Sequence, residues 1–155
     1  MAKRLAKHEI TAYPVFMDYE ITIEEAVKRG RYDWTNSNIT SDNFPTKQIG
    51  KAKLEVELVR FRRRISTKEA LEEFDLMGRR PAEPKELLAL GAQYPNLQRK
   101  FPIVELGFIW RCFIWRSRGY RYVLCLSRMG LRRNLSLCEV GRGWNVIWRF
   151  ATVRK

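Results

Sequence analysis

The order of patterns along the chain predicts an α+β fold in which strands come first, helices follow, and antiparallel strands form the last third. Apolar and charged residues alternate from Leu54, which is typical of a half-buried strand. Two capping-box motifs precede stretches with helical spacing of apolar residues. After Pro102, short apolar runs separated by glycines indicate further strands. With 155 residues, 45% of them hydrophobic, the chain can bury one core.

The N-terminal part is expected to form a strand, a helix and a loop. Residues 8–18 alternate loosely between apolar and polar types, which predicts a strand. The motif TIEE at Thr22 is a capping box, so a helix is expected to begin there and to end at Gly30. Residues 33–45 are rich in Asn, Ser, Thr and Asp and predict a loop. Trp34 is expected to pin this loop to the body of the protein.

Two further helices are predicted in the middle of the chain, at about 67–77 and 84–91. Ser66 opens a second capping box, STKE, and Gly78 is expected to end that helix. A proline is tolerated in the first turn of the next helix, which Gly91 is expected to end.

The last third is predicted to consist of strands. Its candidate strands are residues 103–106, 108–115, 120–126, 135–138 and 146–153. Four alternating leucines are expected to face the core: Leu124, Leu126, Leu135 and Leu137. Their neighbours would then face outward: Tyr122, Cys125, Ser136 and Cys138. Outward Tyr, Cys, Ser and Arg side chains on a rigid sheet suit binding, although an undistinguished exposed face is an equally good interpretation.

The amino-acid composition of the chain changes at Phe108. The 48 residues from there to the end contain no Gln, Asp or His, and only one Glu, one Met and one Lys. Residues 1–107 contain 9 Lys, 3 Gln and 12 Glu, a rate at which the last 48 residues would hold roughly ten of these three types instead of two. Solvated faces are normally covered by Lys, Glu and Asp. Arg, aromatic and small polar residues are typical of paratopes and interface hot spots, so this segment is predicted to be a recognition surface.

Positive charge is concentrated in the same segment. The net charge is +13, and residues 101–155 hold 11 basic and 2 acidic residues, against 19 and 15 in residues 1–100. A strongly basic face attracts polyanions, so nucleic acid stays open as a partner. The alternative function is therefore a basic nucleic-acid-binding module that contacts phosphates with Arg and stacks bases on aromatic rings.

Catalysis is not expected from this chain, and neither a cofactor nor a metal is implied. His8 is the only histidine, which argues against Ser-His and Cys-His nucleophilic pairs. The last third has only two carboxylates, Glu105 and Glu139, too few for a calcium cage. The three cysteines are too widely spaced to indicate a zinc site or a disulfide framework: Cys112, Cys125 and Cys138. No secretory or membrane-spanning apolar run is evident, so a cytoplasmic location is expected.

Several segments carry a resemblance to a known family. They are RYDWTNSNITSDNFP (31–45), ALEEFDLMGRRPA (70–82), GRRPAEPKELLALGAQYPNLQRKFPIVELG (78–107) and WRFATVRK (148–155). Together they resemble the variable proteins of diversity-generating retroelements, which have a C-type-lectin-type fold. In these systems a reverse transcriptase copies a template repeat and randomises its adenines. An AAC codon treated in this way cannot encode Lys, Gln, Glu, Met or Trp, which agrees with the depletion after Phe108.

The resemblance implies a C-type-lectin-like domain at residues 51–155, with two helices packed on short antiparallel strands. Residues 1–50 would be a strand–helix–loop segment packed on it, and the variable region would span about 108–148. The function would be recognition of a macromolecular ligand, with a protein favoured, by diversified residues on a fixed scaffold. The calcium-ligand carboxylates of sugar-binding lectins are missing, so the fold name does not imply carbohydrate binding.

The family pattern also marks individual positions. Ten would be diversified and would contact the ligand: Tyr120, Tyr122, Ser127, Asn134, Ser136, Cys138, Val140, Gly141, Asn145 and Ile147. Weaker candidates are Phe108, Cys112 and Phe113. The framework would be Trp110, Leu135, Leu137, Trp144 and residues 149–155. Trp115 and Trp148 depart from the pattern, because a randomised AAC codon cannot encode tryptophan.

Overall fold

The computed structural model describes residues 6–112 and 120–155. In this part of the chain, three α-helices accompany one nine-stranded sheet, so the expected combination of helices with a sheet is confirmed. The helices are α1 (Ile23–Gly30), α2 (Thr67–Leu76) and α3 (Pro84–Gln93). The strands are β1 (His8–Asp18), β2 (Trp34–Thr35), β3 (Lys51–Phe61), β4 (Arg79–Pro81), β5 (Ile103–Val104), β6 (Trp110–Cys112), β7 (Tyr120–Met129), β8 (Arg132–Glu139) and β9 (Arg149–Arg154).

The sheet is mixed rather than purely antiparallel. Its order is β1-β3-β9-β5-β7-β8-β2, with β4 added beside β9 and β6 beside β7. Most neighbours are antiparallel, but β5 with β9 and β2 with β8 are parallel pairs. The expected short antiparallel strands are therefore only part of the architecture, because β1 and β3 are 11 residues long. A third helix, α1, accompanies the two that the family pattern implies, so the two-helix layer is not confirmed.

Local capping chemistry explains where α1 and α2 begin. The Thr22 hydroxyl accepts a hydrogen bond from the Glu25 N–H at 3.0 Å. At α2, Ser66 and Glu69 exchange bonds between side chain and backbone, which is a complete capping box. Each cap satisfies N–H groups that have no partner within the helix.

The glycines expected to end helices behave differently from one another. Gly78 follows α2 at a φ of 71°, a left-handed conformation that glycine adopts without strain. Gly91 lies inside α3, so the expected stop at this residue is wrong. The left-handed residue after α1 is Arg31, whereas Gly30 is the last residue of the helix. Gly30 and Gly91 share another requirement, since a Cβ at either position would collide with the Tyr32 ring or hydroxyl.

The centre of the sheet is buried on both faces. One core contains Leu124, Leu126 and Leu135 together with apolar residues of α1 and α3. The other contains Val123 and Cys125 with Ala70 and Phe74 of α2. Successive residues of a strand point to opposite faces, so β7 contributes to both cores. The expectation that Cys125 faces outward is therefore wrong: it is 1% exposed.

Two other expectations change. Trp34 does not pin the 33–45 loop with its side chain, which is 48% exposed; buried Ile39 and Phe44 anchor the loop instead. The strand expected at 108–115 is β6, and its part beyond Cys112, including Phe113 and Trp115, lies outside the described residues. None of the described helices has the length and apolar character needed to span a membrane.

Candidate binding surface

Two neighbouring grooves collect half of the ten predicted site residues. The ribbon groove, of about 590 Å³, lies where β7 begins and β8 ends and is lined by Tyr120, Tyr122 and Cys138. The basic groove, of about 500 Å³, is lined by Ser127 and Ile147. Trp148 forms part of the wall of both grooves, so they adjoin.

The ribbon groove is aromatic. Tyr120 is 51% exposed, and its ring centroid lies 6.3 Å from that of Tyr122. Tyr122 in turn contacts Trp110, with ring centroids 6.2 Å apart. Trp110 is half-buried and packs beside Phe44. The tyrosines are therefore backed by the core at one end and open to solvent at the other, which gives contact area at low entropy cost.

Positive charge dominates the basic groove. Arg60, Lys100, Arg128 and Arg149 line it, and none of the described lining residues is acidic. The Arg149 guanidinium lies 4.3 Å from the centroid of the Phe101 ring. Burial, with a further contribution from the charge of Arg60, lowers the pKa of Arg149. A groove lined by four cations and by no acidic residue favours an anionic ligand.

The register of β7 and β8 brings the polar site positions together. Ser127 lies opposite Asn134, Cys125 opposite Ser136, and Val123 opposite Cys138. The Ser127 and Ser136 hydroxyl oxygens are 3.1 Å apart. Ser127, Asn134, Ser136 and Cys138 therefore share one face of the β7–β8 ribbon. All four are half-buried, and of these only Ser127 and Cys138 line the two grooves. Tyr122 pairs with Glu139 on the opposite face, the face of Leu124, so the expectation that Tyr122 faces away from the leucines is wrong.

Val140 and Gly141 do not belong to this surface. Val140 is 4% exposed, and its side chain packs in the core that α2 covers, so it cannot be displayed to a ligand. Its carbonyl accepts a hydrogen bond from the Thr67 hydroxyl at 2.8 Å. Gly141 is exposed but lines a separate depression beside α2. Because a glycine has no side chain, only its backbone could contact a ligand there.

Asn145 forms a side-chain hydrogen bond within the loop before β9. Its side chain is exposed, and Oδ1 accepts a hydrogen bond from the Ile147 N–H at 3.1 Å. This turn presents Ile147, which is 51% exposed. The weaker candidates Phe108 and Cys112 are half-buried, and Phe108 packs edge-on against Phe44.

Trp144 anchors the shared wall of the two grooves. It is 2% exposed, and its indole N–H donates to the Thr67 hydroxyl at 2.9 Å. The Trp148 ring stands edge-on to it, with centroids 4.8 Å apart. Trp148 is thus held by a buried neighbour.

The sequence patterns missed a structural role for Arg133. This residue lies within the segment expected to be variable, yet it is 4% exposed. Its guanidinium donates to the carbonyls of Gly30 at 2.6 Å and Gly91 at 2.8 Å, which joins α1 to α3. It also lies over the Tyr32 ring, 4.8 Å from the centroid. A single arginine in a basic segment carries no sequence signal of burial.

Glu105 is a second buried ionisable group that composition could not reveal. Its carboxyl group is fully buried and accepts N–H bonds from Leu124 at 3.0 Å and Phe108 at 3.1 Å. Burial raises its pKa to about 8, backbone hydrogen bonds lower it in part, and the charge of Glu83 raises it further. A group of three or more His, Cys, Asp or Glu residues that could hold a metal ion is not found in the described residues.

No family model matches the chain, and no curated protein or solved structure matches it significantly.

Proposed function

We propose that this chain is a ligand-binding variable protein, in which a C-type-lectin-like scaffold displays residues diversified by a retroelement. The observation that carries the proposal is the clustering of Tyr120, Tyr122 and Cys138 in one groove and of Ser127 and Ile147 in the groove beside it. Ser136 and Asn134 lie on the same face of the β7–β8 ribbon as Ser127 and Cys138, and Asn145 accepts a hydrogen bond within the turn that presents Ile147.

A protein is the favoured ligand because the surface combines exposed apolar side chains with a groove whose lining contains four cations and no carboxylate. Tyr120 offers apolar area in the ribbon groove, and Ile147 offers it in the basic groove, which Arg128 and Arg149 also line. A protein segment that carries carboxylates next to apolar side chains is complementary to both features. Binding would gain from burial of Tyr120 and Ile147 and from charge-assisted hydrogen bonds to Arg128 and Arg149.

Site-specific crosslinking in an extract of the native cells tests this surface. A photo-crosslinking amino acid replaces Ile147 in the full chain, and in a matched control it replaces Ile49, which is 84% exposed and lines neither groove. We expect one crosslinked protein from position 147 and not from position 49. Excess wild-type chain should suppress the product, and a Tyr120→Ala, Ile147→Ala chain should suppress it far less. Identical products at both positions would refute the proposed surface.

The origin of the surface has a separate test in the DNA that flanks the gene. The retroelement hypothesis expects a near-copy of the 3′ end of the gene next to a reverse-transcriptase gene. Differences between the two copies should fall opposite template adenines, at codons for residues such as Tyr122, Ser136 and Asn145. Differences spread evenly over all bases, or absence of a copy, would remove the family assignment while leaving the binding surface to its own test.

The basic groove also supports the alternative, a nucleic-acid-binding module. Single-stranded oligonucleotides of mixed sequence are the probe, titrated at several salt concentrations. This function would give affinity that falls steeply with salt and depends little on sequence. Arg128→Ala should then weaken binding of every oligonucleotide, whereas Lys28→Ala, on α1, should not. Weak binding that is equally reduced by both variants would indicate only the net charge of the chain.

A further inference from the structure

Two of the three cysteines meet across the β7–β8 ribbon. The Sγ atoms of Cys125 and Cys138 lie 2.6 Å apart, although the residues are not directly opposite in the ladder, where Cys125 pairs with Ser136 and Cys138 with Val123. This separation is far shorter than ordinary contact between two sulfur atoms, so little movement is needed to bring them to bonding distance. Both residues are free thiols in the structure.

The surroundings of the two thiols differ. Cys125 is 1% exposed and packs in the core with Val104 and Phe150. Cys138 is half-buried and lines the open ribbon groove beside Trp148. A small oxidant in the groove can therefore reach Cys138 but not Cys125. The hydrogen bond from Cys125 lowers the pKa of Cys138, while the same contact, together with burial, raises the pKa of Cys125.

We propose that Cys125 and Cys138 form a reversible oxidation site, at which a hydroperoxide converts the two thiols into a cross-strand disulfide. The Cys138 thiolate attacks the terminal oxygen of the hydroperoxide, the O–O bond breaks, and the alcohol leaves with a proton. Cys138 is then a sulfenic acid. The Cys125 sulfur attacks the Cys138 sulfur, the S–S bond forms, and water leaves with the hydroxyl group and the Cys125 proton. The two sulfurs together lose two electrons, and the two peroxide oxygens gain one each.

The disulfide would change the ribbon groove directly. It ties β7 to β8 on the face of the ribbon that carries Val123 and Ser136, and it replaces the Cys138 thiol, which lines the groove, with a bond to buried Cys125. A dithiol reductant restores both thiols by exchange and becomes a cyclic disulfide itself. This inference does not depend on the identity of any ligand or on the proposed function.

Peptide mapping of the oxidised wild-type chain gives the test. The reduced full chain is treated with hydrogen peroxide, denatured, alkylated and digested with trypsin, which separates the cysteines into peptides 112–116, 122–128 and 134–142. We expect one disulfide that links peptides 122–128 and 134–142, with Cys112 still alkylated. Dithiothreitol added before alkylation should abolish the link. Loss of thiols without this link, or peptides linked to 112–116 instead, would overturn the proposal.

Three serine variants separate the roles of the thiols. Cys112→Ser is the matched control and should form the same disulfide at the wild-type rate. Cys138→Ser should protect Cys125, whose oxidation should become slower by about tenfold or more because the accessible thiolate is gone. Cys125→Ser should leave Cys138 as a sulfenic acid that a dimedone reagent traps. Equal oxidation of Cys125 with and without Cys138 would contradict the order of steps, and the wild-type map stands even if a variant fails to fold.

Discussion

Replacing Arg133 by methionine should destabilise the fold, although the residue lies in the most basic part of the sequence. Methionine keeps the length of the side chain and removes its donors, so the Gly30 and Gly91 carbonyls would be buried without partners. Hydrogen bonds from a charged group contribute about 1.5–3 kcal/mol each. Part of this gain is offset in the wild type, because the Arg133 Nε is buried with no hydrogen-bond partner among the described atoms. The expected loss is about 3 kcal/mol of unfolding free energy.

Urea denaturation followed by far-ultraviolet circular dichroism measures this loss. For a chain of this size, about 3 kcal/mol corresponds to a fall in Tm of roughly 10 °C. Arg132→Met is the matched control, because Arg132 is the preceding residue, is exposed and belongs to the same strand. Its effect should stay within about 0.5 kcal/mol. If the two variants lose the same stability, Arg133 does not join α1 to α3 in the way that its contacts indicate.

Three further substitutions test the scaffold. Gly91→Ala should destabilise the chain in spite of the better helix propensity of alanine, because the new Cβ meets the Tyr32 hydroxyl. Adding Tyr32→Phe should recover most of the stability lost in urea denaturation. If the double variant recovers none of it, the steric cause is refuted. The pKa of Glu105 is raised by burial to about 8, above its unfolded value of about 4.3, so the folded chain holds a proton that the unfolded chain has lost. The unfolding free energy should therefore fall by a few kcal/mol as the pH rises from about 4.5 to about 8. Glu105→Gln should remove this dependence of unfolding free energy on pH, whatever its effect at a single pH. If the dependence is unchanged in the variant, Glu105 is not its origin. Ser66→Ala should lower the unfolding free energy by about 1 kcal/mol, because the hydrogen bond from the Glu69 N–H is lost. Ser66→Asp can still cap the helix and should lower it much less. Equal losses in the two variants would show that the cap does not stabilise the fold.

Features determined by neighbouring residues could be predicted from the sequence. The starts of α1 and α2 follow from hydrogen bonds within four residues, so the TIEE and STKE motifs suffice. The strand predicted at 8–18 has the bounds of β1, because alternation is itself a local property. Gly78 ends α2 for a similar reason, since its left-handed conformation depends on its own backbone.

Features that depend on distant partners could not be predicted. The alternation of leucines in β7 indicated one buried face, but α2 covers the other face as well and buries Cys125. Val140 is buried for the same reason. A glycine near the end of a helical pattern predicts a helix stop, but Gly91 lies inside α3. The close approach of Tyr32, which is distant in sequence, requires a glycine there. Arg133 is identical in type to its exposed neighbour Arg132, so only the fold distinguishes the two.

Burial does not explain the unusual amino-acid composition after Phe108. Fifteen residues of this segment are exposed in the part of the chain that the structure describes, and among them are six arginines and one lysine but no Glu, Gln or Asp. Exposed positions are the ones where Lys and Glu are normally most frequent. Instead, large apolar side chains are exposed there, including Tyr120, Met129, Leu131 and Ile147. Solvation alone explains neither the absence of carboxylates from these exposed positions nor the exposure of large apolar side chains. The proposed binding function would account for both features, because an acidic, partly apolar partner would give exposed arginines and apolar groups complementary contacts.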